Sequence, residues 1–264
     1  MRSFTAGSGK SKLGKGRDSR QEARGTRNEA REPEKSPLSP QREIRLAQPS
    51  CSPVASRLSP CPEIVVVGTS LGGLHALEVL LAGLPKNLSV PVVIAQHRHK
   101  DSDDSLCAFL QHQCALPLKE AEDKEIILPG WVYLAPADYH LLVEAGYSPR
   151  DGQDSPWVSA PTFALSTEAP VLYARPSINV LFESAADAYG EKVIGVILTG
   201  ASNDGSQGLA KIKSYGGLTI VQDPTSAASP TMPEAAINTV AVDWILPLCD
   251  IAPLIINLCH LALR

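Results

Sequence analysis

No Cys-x-x-Cys pair occurs among the six cysteines of this 264-residue sequence, namely Cys51, Cys61, Cys107, Cys114, Cys249 and Cys259. That spacing argues against a thiol redox motif or a zinc knuckle, and the thiols read as buried or idle. No uninterrupted apolar run approaches the roughly 18 residues a membrane span needs, and no apolar core of a secretion signal follows Met1. A soluble, cytoplasmic protein is the expectation. Aromatic residues are also scarce, at 5%. The basic amino-terminal stretch lacks the interleaved aromatics on which nucleic-acid bases stack, so nucleic acid is not an expected partner. No repeat of fixed period appears.

Charge is present, but unevenly placed. The formal net charge of -4 rests on 24 Lys and Arg against 28 Asp and Glu. Residues 1 to 60 hold 13 of the basic and 6 of the acidic residues, which leaves 11 and 22 for residues 61 to 264. The first segment is rich in Gly, Ser and Pro and has no apolar periodicity. It cannot bury enough apolar surface to offset chain entropy and is predicted to be a disordered tail. The remainder is aliphatic and long enough for one core, so a single catalytic-sized domain is predicted over 61–264.

Within that domain the organising stretch is Ile64-Val65-Val66-Val67-Gly68-Thr69-Ser70-Leu71-Gly72-Gly73. Four consecutive aliphatics suit a strand buried on both faces of a parallel sheet, and residues 74–81 carry apolar side chains at helical spacing. Ser70 therefore sits on a strand-to-helix turn of Gly-x-Ser-x-Gly form. Such a turn can raise a nucleophilic hydroxyl, cradle a phosphate, or simply be tight. A second apolar run, Pro91 to Gln96, closes on His97. A third, Val193 to Leu198, breaks at Thr199 to Gly205 around Asp204.

Ser70, His97 and Asp204 thus each follow an apolar strand, at the edge where open parallel sheets collect their chemistry. Serine, imidazole and carboxylate are the parts of an acyl-transfer triad. Each has a competing reading. His99 rivals His97, Asp204 could cap the next helix, and Asp138 and Asp223 are weaker alternatives placed in a hairpin or loop.

Helices are predicted near 102–113, 178–189, 206–214, 233–238 and 251–263, and further strands at 218–221 and 242–246. The stretch 116–142 reads as short strands in hairpins at one side of the sheet, and 146–170 as a loop rich in Pro, Ser and Gly. The alternation predicts an α/β fold, a mostly parallel sheet with helices on both faces.

Three motifs, Gly68-Thr69-Ser70-Leu71-Gly72-Gly73, Gln96-His97 and Leu198-Thr199-Gly200-Ala201-Ser202-Asn203-Asp204-Gly205, resemble the signatures of the CheB family of chemoreceptor protein-glutamate methylesterases. Arg175-Pro176-Ser177 and Met232-Pro233-Glu234-Ala235-Ala236 match as well, and the resemblance covers nearly all of 61–264. It implies a three-layer α/β/α sandwich in which Ser70 is the nucleophile, His97 the base and Asp204 the orienting carboxylate. It implies no metal and no organic cofactor. The substrates implied are methyl esters of glutamates on the cytoplasmic helices of chemoreceptors, with deamidation of receptor glutamines as a second activity. The Ala201 N–H matches the family's oxyanion donor.

Several positions depart from the family pattern. Ala174 stands where His is usual, Arg98-His99 replaces an apolar-Pro pair, and the first 60 residues are too short and polar for a receiver domain. Regulation by a separate protein, or none, is the expectation. Hydrolysis of another protein or small-molecule ester, and a non-catalytic module of the same fold, are the competing functions.

Overall fold

The computed structural model describes residues 61–102, 105–146 and 160–261. The tail assigned to residues 1–60 lies outside them.

The centre of the fold is β1 (Ile64–Thr69), every residue of which is buried. Its side chains alternate between two cores. Val65 and Val67 face one, while Ile64 and Val66 face the other. Full burial of such aliphatic side chains contributes roughly 1.5–3 kcal/mol each, which is why an unbroken apolar run occupies a strand covered on both sides. β1 pairs in parallel with β2 (Val92–Gln96) on one side and with β7 (Val193–Ile197) on the other. Outside β2 lie β4 (Val132–Leu134) and β3 (Leu118–Glu120), and outside β7 lie β8 (Leu218–Gln222) and β9 (Trp244–Leu246). All six pairings in this seven-stranded sheet are parallel.

Helices α1 (Gly73–Ala82), α2 (Ser105–Gln111) and α6 (Leu248–Leu261) supply the first core, through Leu77, Leu80, Leu110, Ile251 and Ile255 among others. Helices α3 (Ile178–Tyr189), α4 (Ser206–Ser214) and α5 (Thr231–Thr239) supply the second, through Leu181, Phe182, Leu209 and Met232. The predicted three layers are present.

The hairpin is elsewhere than expected. β3 and β4 join the main sheet in parallel, so the turn at Leu128-Pro129-Gly130 leads into β4 and does not reverse a hairpin. The antiparallel pair is β5 (His140–Glu144) with β6 (Thr162–Ser166), and β6 falls inside the stretch read as loop. Only Phe163 of β6 is buried, so its pattern is too weak to stand out between polar neighbours. The hairpin packs on α3, with the Val143 N–H donating to Ser184 Oγ at 3.0 Å. Helix α6 also starts earlier than predicted and carries Pro253 inside it.

Candidate active site

The chain leaves β1 toward one flank of the sheet through β2 and returns to build the other flank from β7. The strand order therefore reverses beside β1, and a crevice opens there outside the carboxyl ends of the strands. β2, β1 and β7 are adjacent, so the three segments bearing Ser70, His97 and Asp204 meet at that crevice. The register is specific: Thr69 lies opposite Gln96, which makes Ser70 and His97 the next residue on each strand. The pairing continues past the strands, with His97 N–H donating to Thr69 O and Ser70 N–H to Thr199 O, both at 3.0 Å. Ser70 and His97 line one open cleft of about 600 Å³, together with Leu71, Leu74 and Gln96.

Small residues let these turns close. Gly72 has φ +80°, a left-handed conformation that disfavours side chains, and a Cβ there would stand 2.5 Å from Ala228 Cβ. A Cβ on Gly200 would approach the Ser70 Cβ to 2.9 Å. Gly68, the first glycine of Gly-x-Ser-x-Gly, lies under Ile178, where a Cβ would meet Ile178 Cγ2 at 2.3 Å. Its absence of side chain brings the amino terminus of α3 down onto β1.

That helix end is where Asp204 is held. Asp204 is fully buried, and its carboxylate meets four donors. Ser177 Oγ donates at 2.9 Å and the Asn179 N–H at 3.0 Å to Oδ1, while the Ile178 N–H at 2.6 Å and His97 Nε2 at 2.8 Å reach Oδ2. Burial alone pushes the carboxyl upward, but the His97 bond and the two backbone N–H groups outweigh it and leave the pKa below its ordinary value. The positive end of α3 favours the anion in the same sense. An ionised carboxylate can only accept, so His97 must carry its proton on Nε2, leaving the Nδ1 lone pair free to take another.

Asp204 does cap a helix, as its competing reading required, but the helix is α3. Helix α4, directly after it, has Gly205 at its N-cap and no side-chain cap bond. The rival residues are elsewhere. The His99 side chain is 75% exposed and pairs with Asp101 at 3.3 Å. Asp138 is bound by Arg175, and Asp223 accepts from Thr225 N–H and Oγ1 at 2.8 Å each. Ala201 is exposed on the loop after Gly200.

Three residues that support the site escaped the sequence reading. Gln96 Nε2 donates to the carbonyls of both Ser70, at 3.0 Å, and His97, at 2.8 Å, and so ties the two turns together. Ser177 bridges Asp204 to α3 by also accepting from Val180 N–H. His140, buried on β5, accepts the Ser177 N–H on Nδ1 at 3.2 Å, with Nε2 facing Ala169 O. Gln96 and Ser177 both fall within motifs of the family resemblance, but their sequence neighbours do not indicate these contacts. Nothing in local pattern links His140 to Ser177, 37 positions away. Among the described residues no group of three or more His, Cys, Asp or Glu could hold a metal ion, and the five described cysteines form no disulfide. Burial raises the Cys114 thiol, and it raises Cys259 to about 11 with help from nearby Cys61.

Comparison with known proteins bears on the family and the fold. Over 196 residues the chain is 45% identical to a protein of Leptospira interrogans, a match spanning 74% of this chain and 94% of that one. It is 36% identical over 196 residues to the protein-glutamate methylesterase/protein-glutamine glutaminase of Thermotoga maritima, of which it spans 54%. The crystal structure of the Thermotoga maritima CheB methylesterase catalytic domain superposes with a TM-score of 0.68 at 36% identity, covering 75% of this chain and 98% of that domain. The family model described as CheB methylesterase matches residues 65–255, and the chain belongs to the CheB methylesterase family.

Proposed function

We propose that the protein is a serine hydrolase that removes methyl esters from glutamate side chains of chemoreceptors, and that the same site deamidates receptor glutamines. Relatives named protein-glutamate methylesterase/protein-glutamine glutaminase support the substrate class. The observation that carries the chemistry is the bond of His97 Nε2 to a fully buried Asp204 at 2.8 Å, with His97 and Ser70 on the wall of one cleft.

In this reading Ser70 Oγ forms a bond to the ester carbonyl carbon while its proton passes to His97 Nδ1. Asp204 stabilises the imidazolium so formed and fixes the ring's tautomer. The carbonyl oxygen becomes an oxyanion, for which the Ala201 N–H and the positive end of α1 are the stabilising groups. The proton on Nδ1 goes to the departing methoxide, giving methanol and an acyl-serine. Water then repeats the attack, with its proton taken by His97, and releases the glutamate carboxylate and Ser70. For a glutamine the leaving group is ammonia. No metal or organic cofactor enters the reaction.

The catalytic unit is residues 61–264, with 1–60 a dispensable tail, acting in the cytoplasm on receptor helices. No helix among the described residues is long and apolar enough to cross a membrane. The decisive measurement is methanol release from a methylated receptor cytoplasmic fragment. Ser70→Ala is expected to remove about three orders of magnitude or more of the rate while leaving the fold unchanged. A folded variant turning over near the parent rate would overturn the assignment.

A further inference from the structure

Beside the cleft the chain makes a two-residue hairpin whose composition works against its conformation. Val171 and Ala174 exchange both backbone hydrogen bonds, at 3.1 and 2.9 Å, and the two residues between them, Leu172 and Tyr173, have φ of +48° and +65°. Positive φ at both central positions is the requirement that normally selects Asn-Gly or Gly-Gly. Two bulky side chains held there are strained, and such strain persists only where surrounding structure imposes it. The chain directly after the turn is anchored by Arg175, which donates to Asp138 Oδ1 and to the carbonyls of Thr167 and Glu168.

What the strained turn achieves is display. Tyr173 is fully exposed and Leu172 is 50% exposed. Both line a cavity of about 440 Å³ that shares His97 with the Ser70 cleft, and Leu172 also lines the next cavity along, bounded by α4 and α5. Across His97, exposed Leu71 and Leu74 line the Ser70 cleft itself. Leu172 and Tyr173 thus stand as exposed apolar side chains on the far side of His97, at the rim of a cavity otherwise lined by Arg98, His99, Lys100, Asp138 and Arg175 among others. The cleft lies over the middle of the sheet, where β2, β1 and β7 are each paired on both sides. An approaching chain therefore has no strand edge to join, and its recognition must come through side chains, as for a helix that satisfies its own backbone.

Resting on the functional reading above, we infer that the Leu172–Tyr173 turn is a substrate-docking element: it packs against an apolar side chain on the helical protein segment that carries the ester, and so selects protein esters over small ones. Exposed aromatic anchors adjoining a functional groove are the kind of residue that dominates protein recognition.

The test compares two substrates with the same acyl and leaving groups. One is a chemoreceptor cytoplasmic fragment methylated on its glutamates, and the other is the γ-methyl ester of N-acetylglutamate amide. The variants are the double change Leu172→Asn with Tyr173→Gly, which suits the turn's backbone, and the single change Tyr173→Asn. Methanol release from the protein ester is expected to fall about tenfold or more in kcat/KM, chiefly through KM. The small ester should stay within about twofold, and the thermal midpoint of the double variant should rise as strain is relieved. If the parent hydrolyses both esters and the variants lose neither, or lose both in parallel, the docking role is overturned and the functional reading stands. If the parent hydrolyses neither, the functional reading itself fails and this inference with it.

Discussion

The backbone N–H of Ile178 donates to Asp204 at 2.6 Å, although the two residues are 26 positions apart and Asp204 stands immediately before a different helix. One carboxylate thereby caps the amino end of α3 and holds the His97 ring, so the stability of that helix end and the orientation of the imidazole depend on the same group.

That coupling has a pH signature. The folded carboxyl of Asp204 lies below its unfolded value of about 3.9. The folded state therefore binds fewer protons than the unfolded one between the two values. The resulting stabilisation is complete above the unfolded pKa and is lost as pH falls through the folded one. Asp204→Asn is expected to flatten this acid dependence, to cost about 2–3 kcal/mol at neutral pH, and to lower turnover by about three to four orders of magnitude. Urea unfolding of both proteins between pH 2 and 7 checks the first two. Parallel acid slopes would show that the carboxyl carries no such linkage.

Gln96 ties together the turns that carry Ser70 and His97. Gln96→Glu keeps the shape but removes both donors to the Ser70 and His97 carbonyls. Freed turns should misalign nucleophile and base, so kcat is expected to fall about 10- to 100-fold with KM nearly unchanged. Equal loss in KM would assign Gln96 to substrate binding instead.

Gly68→Ala probes the seat of α3. The new methyl would meet Ile178 Cγ2 at 2.3 Å, and Ile178 cannot retreat without loosening its bond to Asp204. A loss of about 1–3 kcal/mol is expected, accompanied by reduced turnover. Unfolding midpoints measured beside methanol release would decide, since destabilisation with full kcat means the contact serves packing alone.

Residues 61–264 are expected to fold and to turn over ester at the rate of the full chain, because the first 60 residues lack an apolar pattern with which to join a core. Aggregation or inactivity of the shortened protein would place a structural element in the tail.

Much of this arrangement was legible in one dimension, and for definite reasons. The runs 64–67 and 193–198 declared buried parallel strands because only a strand covered on both faces tolerates unbroken aliphatics. The small residues after them marked the turns that raise Ser70 and seat Asp204. Local pattern could also limit the candidate bases to His97 and His99, but could not choose between them.

Strand order sets His97, and not His99, beside Ser70 and Asp204. β2 and β7 flank β1, so the residues just past their ends converge, while His99, two positions further, turns out into solvent. Pairing is a long-range property: whether β3 and β4 form a hairpin or run parallel depends on what each finds beside it, and three-residue strands carry too little pattern to say. Likewise Gln96, Ser177 and His140 became part of the site only when folding brought distant backbone groups within hydrogen-bond reach. Residue types and turn chemistry were settled by the sequence. Which helix Asp204 ends, and which ring nitrogen His97 turns toward it, were settled by the packing of α3 over a glycine.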